Sequence, residues 1–404
     1  MIELGSFDAG LPAAACEAYV KEVETVTRIR LADVAAGADK LTLKPCVPDA
    51  AQSMKIADVQ QALKSCGFFP GAKIDGICGY RTLSAIRLFQ EYVRSYEKLP
   101  CIPDGRFGPA SQEHLQRWLQ AGARVEWMPA ITQWQAGTPA PGEYTNWLSL
   151  LEKVKAKYTA NPNRVLQMVN GFRGPADTRS VANWDFTPAG NIHLVGIRRH
   201  EATGKFDDVF VLLLKGLVFK FQGSTEPGAS ENPAGLPFLV QGQHDYHFGW
   251  HKKQYLALRP QHLENGVLVV RSKGDMKFDE ADLKNGLEAN GTINIHWGGK
   301  GMTFDVKTWS EGCQVINGSM YVNEKNELID CSSFAALNNK ELAENRAKTR
   351  GAYNVLLDLV TALASDLPGN SVKYTMLLEE DLDLDPGLKE GLAETRAKVG
   401  QRLR

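Results

Sequence analysis

Residues 293–316 read INIHWGGKGMTFDVKTWSEGCQVI. A short apolar run ends on His296, Gly298 and Gly299 let the chain turn away at once, and Cys313 follows 17 residues later on a Ser310-Glu311-Gly312 turn. A nucleophilic thiol needs a base within reach of its proton and backbone donors for the oxyanion it creates. Gly312 removes bulk beside the sulfur, the amides around Gly312 and Cys313 can face that oxyanion, and Ser310 can bond within the turn. His296 can abut the turn if the two segments lie side by side. The expectation is a site with Cys313 as nucleophile and His296 as base.

Outward from this stretch, "NIHLVGIRRH", "DDVFVLLLKG", "LVFKFQGS", "PFLVQGQ" and "GVLVVRSKG" are short β-branched and aromatic segments bounded by Gly, Asn, Asp and Pro. That is strand chemistry and predicts a β-rich catalytic domain over residues 164–332. Residues 333–404 return to helical periodicity, with "SVKYTMLLEED" readable as one last strand and the charged final helix as a solvated face. Upstream, residues 123–163 hold a linker rich in Pro and Gly, "MPAITQWQAGTPAPG", then a helix with Trp147, Leu150, Leu151 and Val154 on one face.

Residues 53–122 contain a repeat. The helix "VQQALKSCGFF" is followed by "KIDGICGYRTLSAIRLFQEYV" and, 29 residues on, by "PDGRFGPASQEHLQRWL". Asp104 repeats Asp75, Gly108 repeats Gly79, Leu115 repeats Ile86 and Trp118 repeats Phe89. Three short helices joined by two Asp-Gly turns predict a compact module with little room for an active site, its Asp and Gly residues structural. Residues 1–52 receive no role. The whole reads as an α+β multidomain chain.

Of 404 residues, 43% are apolar and 23% charged, the proportions of a folded soluble protein. A net charge of −1 gives no bulk attraction to nucleic acid or anionic membrane. No apolar run reaches the roughly 18 to 20 residues that span a bilayer. The N-terminus lacks the basic start and apolar core of a Sec signal, so the expectation is cytoplasmic residence, export by a non-Sec route, or a removed leader. Seven cysteines, five of them in the first quarter, forbid complete internal pairing and suit disulfides and buried thiols equally.

The repeat resembles the peptidoglycan-binding-like domain of bacterial cell-wall enzymes, departing at Cys78, where that family has an aromatic or aliphatic residue, and at Ser111, where Thr is frequent. Chain order adds a second resemblance. All eight histidines precede Cys313, which excludes the cysteine-first order of papain-like and NlpC/P60-like sites. His296, Ser310, Gly312 and Cys313 are similar to the motif of YkuD-type L,D-transpeptidases, a His followed at a distance by Ser/Thr-His-Gly-Cys. Glu311 departs from it where the family has a second His, and Gln314 and Val315 depart where Arg or Asn follows.

The resemblance implies a β-rich L,D-transpeptidase-like domain acting on peptidoglycan stem peptides in the periplasm or cell wall. It implies a thioacyl-enzyme leading to transpeptidation, D-amino acid exchange or carboxypeptidase activity, with no metal or cofactor. Glu311 close to the thiol would raise its pKa; turned outward, it would meet an acceptor amine. Export without a Sec signal also fits an antibacterial effector, whose partners would be an immunity protein and a secretion apparatus.

Alternatives stand beside this. "QGQHDYHFGWHKKQY" spaces His244, His247 and His251 as zinc ligands of a peptidoglycan peptidase if the segment is helical. Gly242, Gly249 and the aromatic interleaving favour a strand or loop instead. The segment then lines the cysteine cleft, with His251 and Tyr246 as substrate contacts and Trp297 and Trp309 as further ones. The remaining readings are an inactive wall-binding protein and a structural Cys313, buried or bridged to Cys331.

Overall fold

The computed structural model describes the chain apart from residues 38, 51, 69–72, 189, 200–203, 229–233, 263, 273–277, 302–304, 364–370 and 403–404, and the side chain of residue 307. Near the N-terminus β1 (Ser6–Asp8) and β2 (Lys44–Cys46) pair in parallel, with α1 (Ala13–Thr27) between them in sequence. They lie on the repeat module, formed by α2 (Ile56–Cys66), α3 (Tyr80–Ser95) and α4 (Pro109–Ala121). Ile2 bridges to Phe107 and Phe7 to Ile77. The Asp8 carboxylate accepts from the amides of Ile56 (2.7 Å) and Ala57 (3.0 Å), satisfying the open N-terminus of α2 from a distant part of the chain. The first residues, assigned no role from sequence, therefore staple the module.

Within the module the repeat has a physical cause. Buried Gln60 donates to Asp75 Oδ1 and Thr82 Oγ1 (both 2.8 Å) and accepts from the amides of Asp75 and Gly76. Buried Gln90 does the same one unit later, donating to the Arg106 carbonyl and Ser111 Oγ and accepting from the Gly105 amide. One amide side chain thus satisfies each turn's polar groups away from water. Ser111 offers the hydroxyl that Thr82 offers, so the departure there leaves the turn intact. Ile86, Phe89, Leu115 and Trp118 are all buried, and Phe68 packs among Phe89, Tyr92, Trp118 and Trp127 at centroid distances of 5.4 to 5.8 Å.

The predicted linker is corrected: it contains α5 (Met128–Gln135). Pro129 sits in the first turn, where a missing N–H is tolerated, and Ile131 is fully buried. There follow α6 (Glu143–Ala160), with Trp147, Leu150, Leu151 and Val154 all buried, and α7 (Arg164–Gly171).

Among the described residues twelve strands follow: β3 (Ile192–Arg198), β4 (Asp208–Leu214), β5 (Leu217–Ser224), β6 (Leu236–Leu239), β7 (Gly242–His251), β8 (Tyr255–Pro260), β9 (Val267–Ser272), β10 (Glu288–Asn290), β11 (Ile295–Trp297), β12 (Gln314–Val322), β13 (Leu328–Asp330) and β14 (Val372–Leu378). Eight close into a barrel in the order β11-β8-β7-β14-β3-β4-β5-β12, completed by the pairing of β12 with β11; β13 adds to β12. The β14/β3 and β11/β12 pairs are parallel and the remaining pairs antiparallel. The strands β6, β9 and β10 form a separate three-stranded sheet.

The C-terminal helices are α8 (Asn339–Glu344), α9 (Ala352–Asp358), which continues into a π-helical turn at Leu359–Leu363, and α10 (Pro386–Arg402). Because β14 lies between β7 and β3, the barrel takes a strand from beyond residue 332, which corrects the boundary drawn there. One face of the strands (Leu194, Leu212, Phe248, Tyr374) shares a continuous core with α9 and the repeat module. The other face (Val195, Val211, Leu377) packs under α6 and α10. Burial on both faces explains why β3 and β4 read as almost unbroken apolar runs.

The module docks on this barrel through α3. Arg87 holds buried Asp358 with Nε at 2.8 Å from Oδ2, Tyr321 donates to Glu91 (2.7 Å), and Arg94 donates to the Asp330 carbonyl (2.9 Å). All seven cysteines are unpaired, so the Cys313–Cys331 bridge is excluded. Among the described residues no helix is long and apolar enough to cross a membrane.

Candidate active site

The 17-residue spacing follows from the parallel pairing of β11 and β12. Parallel neighbours need a crossover that returns the chain to the end it left. Ile295 consequently pairs with Gln314 and His296 with Val315, and the Gln314 amide donates to the Asn294 carbonyl at 2.8 Å. Side chains alternate along strands, so Asn294, His296, Cys313 and Val315 fall on one face and Ile295, Gln314 and Ile316 on the other. Gly299 makes the turn out of β11 at φ +72°, where a Cβ would meet the Leu337 carbonyl at 2.6 Å.

Hydrogen bonds fix the turn before β12. Ser310 Oγ accepts from the Gly312 amide (3.0 Å) and donates to the Cys313 carbonyl (2.6 Å), while the Ser310 carbonyl accepts from Gly228 (2.9 Å). Gly312 has φ +142°, and a Cβ there would lie 2.6 Å from Pro237 Cγ. Its missing side chain therefore makes room for Pro237 of β6 as well as for any ligand at the sulfur. With the Gly312 amide committed to Ser310, the amides of Glu311 and Cys313 are left without a bond among the described residues of the turn. That narrows the expected oxyanion donors.

Cys313 keeps partial exposure. Its sulfur accepts from the Asn294 amide and donates to the Thr292 carbonyl, both at 3.4 Å. Burial pushes the thiol up to about 11, against the opposing pull of the Asn294 amide and of Lys252 and Arg259. Glu311 is exposed and pushes in the expected upward direction, but burial is the first cause and Glu311 a minor one.

His296 is almost fully buried, and desolvation lowers its pKa to about 4. Nδ1 lies 2.8 Å from the Trp297 carbonyl, so the ring donates there, and the carbonyls of Trp297 and Trp309 both favour a proton on it. Tyr255 Oη approaches Nδ1 at 3.3 Å. His251 stacks on His296 with centroids 4.1 Å apart and interacts through Nδ1 with Asn294 Nδ2 at 3.0 Å. Burial and the neighbouring His296 depress His251 to about 2. At neutral pH thiol and imidazoles are therefore uncharged.

Two positively charged residues, Lys252 and Arg259, favour the thiolate by their charge. Arg259 lies over Gly249, where a Cβ would meet its Cδ at 2.9 Å, and reaches the carbonyls of Trp250 (3.2 Å) and Gly291 (3.4 Å). Lys252 and Lys253 form the β7–β8 turn with φ of +49° and +58°, left-handed values usually taken by Asn or Gly.

Other expected residues are corrected. Tyr246 is wholly buried, its hydroxyl donating to the Ile293 carbonyl at 3.0 Å, and Trp297 is equally buried, packed on Tyr255 and Trp309. Neither presents a surface to substrate. Trp309 is half-buried and His251 lies at the site. The zinc triad fails on geometry. The histidines occupy a strand; His244 points to the opposite face, with Nδ1 against Thr178 Oγ1 and Nε2 against the Val240 carbonyl. Among the described residues no three His, Cys, Asp or Glu side chains converge to hold a metal ion.

Sequence reasoning missed Asn294, Tyr255 and Arg259. Asn294 was findable, since two positions before His296 on a strand is the same face; the other two depend on strand order. Comparison with protein-family models, curated proteins and solved structures finds no match.

Proposed function

We propose that the chain is a cysteine acyltransferase or hydrolase acting on L,D-linked bonds of peptidoglycan stem peptides in the periplasm or cell wall. The observation that carries this reading is the shared face of Cys313 and His296 on neighbouring parallel strands, with Cys313 partly exposed as a residue. His296 suits the base better than His251, because the Trp297 and Trp309 carbonyls favour a proton on its ring. His251 is pushed lower still and has no such supports.

On this reading the thiol turns from Thr292 toward the imidazole, and Sγ attacks the substrate carbonyl as its proton passes to His296. The Cys313 amide, with Arg259 and Lys252 nearby, stabilises the oxyanion. Collapse breaks the C–N bond, His296 returns the proton to the leaving amine, and a thioester remains on Cys313. A second amine or water then takes the acyl group, giving cross-linking, exchange or carboxypeptidase activity. The repeat module, docked through Arg87 and Arg94, would hold wall polymer at a fixed distance from the sulfur.

The test is mass spectrometry of tetrapeptide muropeptides incubated with wild-type and Cys313→Ala protein. The wild type is expected to release or replace the terminal residue, or to form dimers, and the variant to leave the mixture unchanged. Identical products from both would refute the proposal.

A further inference from the structure

A second cavity, of about 320 Å³, opens at the seam between the repeat module and the barrel. Four stretches distant in sequence meet there: the N-terminal strand region at Glu3, the loop at Asp39 and Lys40, the repeat at Arg87 and Arg106, and the segment carrying Arg346, Lys348 and Arg350. The six cations of that lining face three carboxylates, Glu3, Asp39 and Asp104, and two more just outside it, Asp358 and Glu341, which leaves an excess of one positive charge in a chain whose net charge is −1.

Several of these cations are already engaged. Arg87 holds Asp358, Arg350 donates to Asp39 at 2.7 Å, and Arg106 lies 3.8 Å from Glu3 and 3.9 Å from Asp104. Lys348 pairs with Glu341 at 3.6 Å, and Lys40 donates to the Val34 carbonyl at 3.0 Å. Arg346 is exposed and makes no hydrogen bond or ion pair among the described residues. Nε of Arg350, a residue 5% exposed, also lacks a partner among them.

The two repeat turns differ here. Gly76 is covered by Asp8 and Leu11 and Asp75 lines a separate cavity beside Glu22, Lys73 and Arg81, whereas the Asp104-Gly105-Arg106 turn lines this one. Low-dielectric walls lined by one sign of charge concentrate counter-ions, and guanidinium groups match the planar oxygens of carboxylate and phosphate.

We propose that this seam cavity binds a small polyanion carrying two or more carboxylate or phosphate groups, with Arg346, and Lys40 bonded only to the neutral Val34 carbonyl, supplying charge that no carboxylate pairs among the described residues. This does not rest on the acyl-transfer reading. Arg350 is unsuitable for the test, because its guanidinium stacks on Tyr255 and Trp297 beside His296.

The experiment is calorimetric titration of the full chain with sodium pyrophosphate and, separately, sodium citrate, each against sodium chloride of matched ionic strength. Wild type, Arg346→Ala and Arg346→Glu/Lys40→Glu are compared, with circular dichroism to verify folding. Saturable binding of at least one probe is expected, weakened about tenfold or more in the double variant and less in the single one. Pyrophosphate alone would identify a phosphate ligand and citrate alone a carboxylate one. Absence of saturable binding by both probes, or equal affinity in all three folded proteins, would overturn the proposal.

Discussion

Cys313 and His296 both rest neutral because burial moves both pKa values away from neutrality, the thiol to about 11 and the imidazole to about 4. Nucleophilicity must then arise by proton transfer during attack and not from a standing thiolate–imidazolium pair. Roughly one sulfur in 10⁴ is ionised at pH 7 on this basis. Alkylation of Cys313 by iodoacetamide should therefore climb about tenfold per pH unit through pH 8 to 10 and level near 11. His296→Gln should leave that profile nearly unmoved while abolishing acyl transfer. Lys252→Glu, which replaces a cation favouring the thiolate, should slow alkylation several-fold at pH 8. A plateau already present at pH 7 would contradict the neutral resting state.

Elements bring these residues together, and they do so through contacts that can be broken singly. Asp358 is fully desolvated and answered by Arg87. Arg87→Ala strands that carboxylate and should cost about 3 to 5 kcal/mol in denaturant unfolding, whereas Arg87→Met with Asp358→Leu should recover most of the loss. Equal stability of Arg87→Ala and wild type would mean that the module is not docked as described. Gly312→Ala pushes a Cβ to 2.6 Å from Pro237 and should displace Cys313, lowering activity at least tenfold while the fold is kept.

Much at this scale was readable in the sequence. The repeat showed because Asp-Gly turns and apolar helical spacing are local signals. The adjacency of the segments carrying His296 and Cys313 showed because a crossover between parallel strands leaves room for a short gap. What was not readable depended on partners far along the chain. Asp8 caps α2, β14 enters the middle of the barrel, and Arg259 of β8 favours the Cys313 thiolate by its charge; none of these has a local signature. The α5 helix was mistaken for a linker because Pro129 and Gly137 punctuate it, though Pro129 lies in a first turn that tolerates it. Tyr246 and Trp297 were mistaken for substrate contacts because aromatic residues near a motif read alike whether they face cleft or core.

For the molecule as a whole, stability should depend on pH through buried histidines. His193, His244, His247 and His296 are lowered to about 4 and His251 to about 2, each chiefly by burial. The folded chain then binds fewer protons than the unfolded chain below pH 6.5, so their contribution is complete above 6.5 and lost as pH falls toward 4. Glu226, raised to about 7, and Asp207, raised to about 6, act oppositely, losing their contribution as pH rises through those values. Asp104, Asp177, Asp208, Glu324 and Asp358 are also raised by burial and oppose the imidazoles, whereas Glu3, Asp185 and Asp330 are lowered and act with them. The five imidazoles of the unfolded chain titrate highest, near 6.5, so the melting temperature should fall from pH 6.5 to 4, and Glu226→Gln should add about 1 to 3 kcal/mol at pH 8. A melting temperature flat over pH 4 to 6.5 would contradict this. The most direct test of the central claim is intact-protein mass spectrometry of the chain mixed with a stem tetrapeptide and quenched in acid. The account predicts an added mass equal to the acyl tripeptide, mapped to Cys313, absent in Cys313→Ala and strongly reduced in His296→Gln; an adduct on another residue, or products formed by Cys313→Ala, would contradict it.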